Sequence, residues 1–262
     1  MRYLWQDIEK ITTLLRNGLP KVLFLDFDGT LAPIAKSPHL ANISKKTQKL
    51  LQDLYQKPKI YLAIISGRRL GDLKNKVGVP NITYASKHGF KGKIQDKKFL
   101  YPVKKKQLNA IFKIKDELQN LADQFKGAFL EDKKIMLAFH FRAVEKDQVR
   151  QLKKSLEKIL RKHQDNGLIA TTSGKKVLEI LPRVSWNKGY FAEMLIGKIA
   201  GQTKKDPVGI VVGDDLTDEH MFQKLNKEIT ITVGIKQKSK AKYYLKDPED
   251  VLKFLTWLKF LL

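Results

Sequence analysis

The sequence has no cysteine and no long hydrophobic run, and each absence excludes a class of protein. Without cysteine, the 262-residue chain can form neither a disulfide nor a thiolate metal site. No segment reaches the roughly 18 continuous apolar residues of a membrane span. Residues 1–20 place Asp7, Glu9, Lys10 and Arg16 between apolar positions, a pattern typical of an amphipathic helix and not of a signal peptide. We therefore expect a soluble cytoplasmic protein with no membrane partner.

Acidic residues are scarce: Asp and Glu together number 27, against 51 Lys and Arg, for a formal net charge of +24. A charge this basic favours anionic partners such as phosphorylated metabolites, nucleic acid or an acidic membrane. The lysines are spread along almost every predicted helix, and no RRM, KH or helix-turn-helix signature is present. We interpret the charge as a solvated lysine-rich surface and expect no specific nucleic-acid binding. A nucleic-acid-binding protein with a vestigial catalytic site is the alternative from a different functional class.

Reactive side chains follow four apolar segments that we predict to be strands of a parallel sheet. The first lies in KVLFLDFDGTL at 21–31, and the others span 60–65, 82–85 and 209–212. The carboxyl ends of parallel strands meet at one sheet edge, where α/β proteins bind ligands, so we expect these side chains to converge. The residues concerned are, in chain order, Asp26 and Asp28, Ser66 and Arg68, His88, and Asp214, Asp215 and Asp218.

The pair Asp26 and Asp28 indicates what kind of ligand this edge would hold. Two aspartates one residue apart repel each other, and a nearby cation offsets that repulsion. We interpret the pair as part of a Mg²⁺ and phosphoryl site. A strand running into an Asx-type turn is the structural alternative, because Asp-Gly is a frequent turn sequence.

The stretch 101–182 has a different pattern, α-β-β-α-β-β, which predicts an antiparallel sheet with helices on one side. Its predicted helices span 106–125 and 145–163, and its strands 127–131, 135–142, 168–172 and 176–181. Pro102 and Pro182 flank this insert. We therefore predict an α/β protein of two domains. Residues 1–100 and 183–262 form a Rossmann-like core with a mostly parallel sheet, and residues 101–182 form an inserted α+β cap over its active edge.

Four motifs, in this order, resemble those of the haloacid-dehalogenase-like phosphatases: DFDGT at 26–30, SGR at 66–68, NKG at 187–189 and GDDLTDE at 213–219. Within that superfamily the chain is most similar to the trehalose-6-phosphate phosphatases, through HG at 88–89, EDKKIMLAFHFR at 131–142 and GKKVLEILP at 174–182. The resemblance covers nearly the whole chain from Lys21 onward, and it implies a cap of the C2B type. Lys91 and His220 depart from it, because the family often has acidic residues at these two positions.

The resemblance implies a phosphatase that forms an aspartyl phosphate. Asp26 would be the nucleophile, and Asp28 would protonate the leaving oxygen and then take a proton from water. Ser66 would donate a hydrogen bond to a phosphoryl oxygen, and Lys188 would balance the charge of the transferring group. Mg²⁺ is the implied cofactor. Its implied ligands are Asp26, Asp214 and the main-chain carbonyl of Asp28.

The same resemblance implies supporting and sugar-binding residues. Asp218, and with it Asp215, would orient Lys188 or a metal-bound water. For Thr30 we expect the side chain to satisfy backbone groups of the turn, with a contact to phosphate as the alternative. Candidate substrate contacts are Arg68, His88, Glu131, Lys133, His140, Arg142, Lys175 and Glu179. Strand alternation predicts that His140 and Arg142 share one face and that Phe139 and Phe141 pack on the helices.

The implied reaction is hydrolysis of trehalose 6-phosphate to trehalose and phosphate, a step of trehalose biosynthesis. Action on another sugar phosphate, such as sucrose 6-phosphate or a glycosyl-glycerate phosphate, is the alternative. We expect a small sugar phosphate as the partner and a monomeric protein.

Overall fold

A computed structural model describes residues 1–35, 37–95, 97–164, 167–174 and 176–262. The chain divides into two compact units. The first comprises Met1–Tyr101 and Trp186–Leu262, and the second comprises Pro102–Ser185. None of the helices in the described ranges combines the length and the apolar character that crossing a bilayer requires.

The strands of the described residues are β1 (Arg2–Tyr3), β2 (Lys21–Leu25), β3 (Ile60–Ile65), β4 (Thr83–Ser86), β5 (Lys91–Ile94), β6 (Lys97–Leu100), β7 (Phe129–Asp132), β8 (Leu137–His140), β9 (Ile169–Gly174), β10 (Val177–Pro182), β11 (Val208–Gly213), β12 (Ile229–Val233) and β13 (Tyr243–Leu245). The α-helices are α1 (Ile8–Leu15), α2 (Lys45–Tyr55), α3 (Leu70–Val77), α4 (Lys105–Asp123), α5 (Val149–Gln164), α6 (Lys188–Thr203), α7 (Glu219–Lys224) and α8 (Pro248–Leu261).

A nine-stranded sheet forms the centre of the first unit, in the order β1-β13-β12-β11-β2-β3-β4-β5-β6. The strands from β1 to β4 in this order run parallel, and β5 and β6 form an antiparallel hairpin at one edge. Every residue of β2 is buried because both faces of the sheet are covered. Leu23 and Leu25 join the core cluster that contains α2 and α8, while Val22 and Phe24 join the one that contains α6.

The second unit is a four-stranded antiparallel sheet in the order β7-β8-β10-β9, with α4 and α5 packed on one face. Phe139 and Phe141 lie in the core between this sheet and the helices, as strand alternation predicts. The α-β-β-α-β-β pattern and the mostly parallel sheet of the first unit confirm the predicted fold class.

The amino-terminal segment differs from the single helix predicted for residues 1–20. Arg2 and Tyr3 form β1, which pairs in parallel with Tyr243 and Tyr244 of β13, and α1 begins only at Ile8. Pairing with a strand about 240 residues away leaves no local periodicity in the sequence, so a helical pattern was the only visible signal. Ser44 caps α2, and its side chain accepts a 3.0 Å hydrogen bond from the amide of Thr47.

Candidate active site

Four side chains follow four adjacent parallel strands of the first unit. Asp26 follows β2, Ser66 follows β3, His88 lies just beyond β4, and Asp214 follows β11. These strands are neighbours in the order β11-β2-β3-β4, so their carboxyl ends lie at one edge of the sheet. All four residues are buried. The sequence therefore brings its reactive groups together at the position where α/β sheets bind ligands.

Lys188 lies at the centre of this cluster. It is only 1% exposed, and its Nζ donates 2.8 Å hydrogen bonds to Oδ1 of Asp26 and Oδ1 of Asp218. Burial by itself would lower the pKa of Lys188, but Asp218 and Asp26 outweigh it and raise that pKa well above its ordinary value. Lys188 opens α6, whose N-cap Asn187 accepts hydrogen bonds from the amides of Gly189 and Tyr190. The cap fixes the start of the helix and with it the position of the lysine.

Two glycines let the carboxylates approach one another. Gly29 has φ +86°, a left-handed conformation, and a Cβ at this position would overlap the carboxylate of Asp214. A Cβ at Gly213 would overlap the side chain of Asp218 in the same way. Oxygen atoms of Asp26, Asp214 and Asp218 lie within 4.8 Å of one another as a result.

The side chain of Asp218 organises the loop after β11, and both of its carboxylate oxygens accept hydrogen bonds. Its Oδ1 accepts from Lys188, and its Oδ2 accepts from the amides of Asp214 (2.8 Å) and Asp215 (3.0 Å). Asp215 in turn accepts hydrogen bonds from the amide and hydroxyl of Thr217 through Oδ1. Although burial opposes it, the charge of Lys188 and these hydrogen bonds hold the pKa of Asp215 below its ordinary value.

The site fits a hard divalent cation. Asp26, Asp214 and Asp218 are three buried carboxylates, and the ammonium of Lys188 contacts two of them. Burial raises the pKa of Asp26 well above its ordinary value, Lys188 opposes this, and the neighbouring aspartates add to it. A bound cation would relieve that accumulation of negative charge. The carboxylates of Asp26, Asp214 and Asp218 could hold one, and all-oxygen ligands suit Mg²⁺.

Asp28 and Arg68 form a pair beside this cluster. Arg68 donates from Nε to Oδ2 of Asp28 (2.7 Å) and from Nη2 to Oδ1 (2.6 Å), a bidentate geometry. Arg68 also donates to Asp72 Oδ2 (2.7 Å) and to the carbonyl of Pro38 (2.7 Å), and it lies 4.9 Å from the ring centroid of Phe27. Arg68, which we predicted to contact the substrate, is therefore 8% exposed and bound to other groups of the protein.

Hydrogen bonds connect Ser66 to Arg68 and to His88. The hydroxyl of Ser66 accepts from the amide of Arg68 (3.2 Å), and the carbonyl of Ser66 accepts from the amide of His88 (3.1 Å).

The hydroxyl of Thr30 is buried and has no hydrogen-bond partner in the described part of the chain. The role expected for Thr30, satisfying backbone groups, is filled instead by main-chain bonds such as the one from Leu31 to Phe27. A polar ligand at this edge would satisfy the hydroxyl.

A second polar cluster lies on the helix-free face of the sheet in the second unit. Lys133 is 6% exposed, and its Nζ lies 3.2 Å from Glu179 and 3.8 Å from Glu131. Nε2 of His140 lies 3.2 Å from Glu131, and its ring stacks on Phe129 with centroids 4.4 Å apart. Four of the predicted sugar contacts are therefore neighbours.

Of the two other predicted contacts in the second unit, the structure describes one. Strand β8 ends at His140, two residues before Arg142. The strand face that we predicted for these two residues is therefore not part of β8. Lys175 lies outside the described residues.

Several residues that shape these clusters were not predicted from the sequence. Asp72 lies one helical turn from Arg68, a spacing that could have indicated an ion pair. Asn187 precedes the first turn of α6, which is an N-cap signal. Phe129 left no signal, because its contact with His140 depends on the register of β7 against β8. The two departures from the family pattern, Lys91 on β5 and His220 in α7, are both exposed.

The chain resembles known proteins over most of its length. A trehalose-phosphatase family model matches residues 24–249. Trehalose-phosphate phosphatase B of Arabidopsis thaliana is 31% identical over 252 residues, covering 91% of this chain and 66% of the plant protein. A probable trehalose-phosphate phosphatase 4 of Oryza sativa subsp. japonica is also 31% identical, covering 91% of this chain and 65% of its own length. The chain thus spans about two thirds of the length of these curated relatives.

The fold is also that of solved structures. The C-terminal domain of a trehalose-6-phosphate phosphatase from C. albicans superposes with a TM-score of 0.84 at 25% identity, with 97% of each chain covered. This neighbour has the haloacid-dehalogenase-like fold that the motifs imply, and the match extends across both units of the chain. With the family model covering most of its residues, the chain belongs to the trehalose-phosphatase family.

Proposed function

We propose that this protein is a Mg²⁺-dependent phosphatase that hydrolyses trehalose 6-phosphate to trehalose and phosphate through an aspartyl phosphate on Asp26. The observation that carries the proposal is the contact of buried Lys188 with Asp26. An ammonium at 2.8 Å keeps one carboxylate oxygen oriented and offsets negative charge as a phosphoryl group approaches. The names of the relatives support trehalose 6-phosphate as the substrate.

In the first step, an oxygen of the Asp26 carboxylate attacks phosphorus and forms a P–O bond. The bond from phosphorus to the sugar oxygen breaks, and its electron pair goes to that oxygen. Asp28 supplies a proton to the same oxygen, so that trehalose leaves as a neutral alcohol. Ser66 and Lys188 hold the phosphoryl oxygens and balance their charge. A carboxylate suits the attack because its ionised form needs no base to activate it, and the charge of Lys188 favours that ionised form against the effect of burial.

In the second step, water attacks phosphorus and gives a proton to the Asp28 carboxylate. The bond between phosphorus and Asp26 breaks, and its electron pair restores the carboxylate. Phosphate leaves, and Asp28 is again protonated for the next turnover. Mg²⁺, held by the carboxylates of Asp26 and Asp214 and the main-chain carbonyl of Asp28, would supply positive charge to the phosphoryl oxygens.

Sugar selection belongs to the polar face of the second unit in this proposal. Glu131, Lys133, His140 and Glu179 offer acceptors and donors in one cluster, which suits the hydroxyl groups of a disaccharide. Their chemistry would also accept another sugar phosphate, such as sucrose 6-phosphate or a glycosyl-glycerate phosphate. A monomeric, cytoplasmic enzyme completes the proposal.

Rapid-quench trapping tests the covalent step. The purified protein is mixed with Mg²⁺ and trehalose 6-phosphate labelled in its phosphate, and quenched in acid within one turnover. We expect label on the protein at Asp26 in a peptide digest, and none when Asp26→Asn is used. Release of labelled phosphate without any labelled protein at the earliest quench times would contradict the aspartyl phosphate.

A further inference from the structure

Arg68 uses nearly all of its donors on the protein itself. Its guanidinium binds both oxygens of Asp28, the carboxylate of Asp72 and the carbonyl of Pro38, each at 2.6–2.7 Å. Little donor capacity is left for a substrate phosphate, which is the usual partner of an arginine in such a site. The arginine is 8% exposed, so its charge depends on these partners.

The partners of Arg68 connect Asp28 to helix α3 and to a neighbouring segment. Asp72 belongs to the first turn of α3. Pro38 belongs to the segment 37–42, which Lys76 of α3 also holds, by donating 2.8 Å hydrogen bonds to the carbonyls of His39 and Ala41. Arg68 therefore fixes Asp28 against a helix and against a segment that is itself tied to that helix.

Asp28 needs such support. Its side chain is 38% exposed, and a short carboxylate at that exposure samples several rotamers unless a partner selects one. Proton transfer requires a carboxyl group within hydrogen-bond reach of the leaving oxygen. The bidentate pair fits the ionised carboxylate that Asp28 becomes once its proton has moved to the sugar oxygen. While Asp28 carries that proton on Oδ1, the Nε donor can keep Oδ2 in place.

We propose that Arg68 is a positioning residue that holds Asp28 for proton transfer to the leaving sugar oxygen, and that it does not bind the substrate phosphate. The inference rests on the proposed function. It predicts a dependence on the leaving group. A sugar oxygen needs a proton as it leaves, whereas the dinitrophenolate of 2,4-dinitrophenyl phosphate is stable without one. Loss of Arg68 should therefore harm only the sugar phosphate.

The test compares kcat/KM for the two substrates in the parent, Arg68→Gln, Asp28→Asn and the double variant. This ratio reports steps up to phosphoryl transfer to Asp26, so defects in the second step do not enter it. We expect Arg68→Gln and Asp28→Asn each to lower kcat/KM for trehalose 6-phosphate by about 10²-fold or more, with little change for the dinitrophenyl ester. The double variant should lose no more kcat/KM than Asp28→Asn, because both substitutions remove the same function, a correctly positioned proton donor. Arg69→Gln, the exposed neighbour, is the matched control.

Equal losses on both substrates in folded Arg68→Gln, or a double variant whose loss is the product of the single losses, would overturn the inference. If Arg68→Gln does not fold, Asp72→Ala serves instead, because Asp72 is 39% exposed and its removal loosens the guanidinium while leaving Asp28 paired. For Asp72→Ala, a loss of kcat/KM that is smaller than expected for Arg68→Gln and confined to the sugar phosphate would support the inference. An equal loss on both substrates, or no loss on either, would overturn it. A parent protein that releases phosphate from neither substrate would overturn the proposed function itself, a result distinct from any of these.

Discussion

Lys188 Nζ lies 2.8 Å from Oδ1 of Asp26, although 162 positions separate the two residues in the chain. Both side chains are buried at the carboxyl edge of the parallel sheet, the lysine at the start of α6 and the aspartate at the end of β2. The pair links the proposed nucleophile to the cation that balances its charge, and the first two predictions rest on this contact.

Lys188→Met should abolish turnover and destabilise the protein. Breaking a buried ion pair by removing one partner costs about 3–5 kcal/mol, because Asp26 and Asp218 lose their cation. Loss of the positive charge should lower kcat by at least about 10²-fold. Phosphate release and thermal melting measure the two effects, and Lys198→Met on the same helix is the control. A variant with parental kcat would show that this lysine is only structural.

Asp26→Asn should abolish turnover while the fold persists. The amide keeps the shape of the side chain but is neither a nucleophile nor an anionic metal ligand. Phosphate release from p-nitrophenyl phosphate and trehalose 6-phosphate, together with a melting curve, gives the comparison, with the exposed Asp206→Asn as control. Activity within about tenfold of the parent, in protein with an unchanged melting temperature, would remove Asp26 from the role of nucleophile.

The sequence alone was enough to place the four strand ends. Apolar runs such as those of β2 and β3 mark strands buried on both faces, and the adjacent polar residues mark the active edge. The pairing of β1 with β13 and of Arg68 with Asp28 left no such signal, since each joins segments distant in the chain. The burial of Lys133 between two glutamates is likewise a result of strand register, which periodicity does not specify.

Mg²⁺ should stabilise the protein more at about pH 8 than at about pH 6. Burial raises the pKa of Asp218 to about 7 against the opposing charge of Lys188, and it raises the pKa of Asp26 in the same direction. A carboxyl with a higher pKa in the folded state binds its proton more tightly there. Without metal, stability therefore falls as pH rises through that pKa.

At the lower pH, Mg²⁺ must displace protons from these carboxyl groups before it binds. The lowered pKa of Asp215 and the raised pKa of Lys188 do not change how stability depends on pH between about 6 and 8. In that range each group keeps one charge state in both the folded and the unfolded chain. Melting temperatures with Mg²⁺ or EDTA at both pH values measure the effect, and Asp214→Asn should remove it. An equal rise at both pH values would contradict the linkage of metal to these carboxylates.

Substitutions in the second unit should separate sugar selection from phosphoryl chemistry. Glu131→Ala or Lys133→Ala should lower kcat/KM for trehalose 6-phosphate by about 10²-fold, because lost contacts leave buried polar groups unpaired. Hydrolysis of p-nitrophenyl phosphate should hardly change. Lys134→Ala, an exposed neighbour, is the control. Equal losses on both substrates would mean that these residues support the protein generally, and no loss on either would place the sugar elsewhere.

The most direct test of the central claim is a comparison of kcat/KM for phosphate release from a panel of sugar phosphates in the presence of Mg²⁺. The panel contains trehalose 6-phosphate, sucrose 6-phosphate, a glycosyl-glycerate phosphate and glucose 6-phosphate. We predict that trehalose 6-phosphate is preferred over each of the others by at least about tenfold, and that EDTA abolishes release. Preference for another member of the panel, or full activity in EDTA with negligible metal content, would contradict the account.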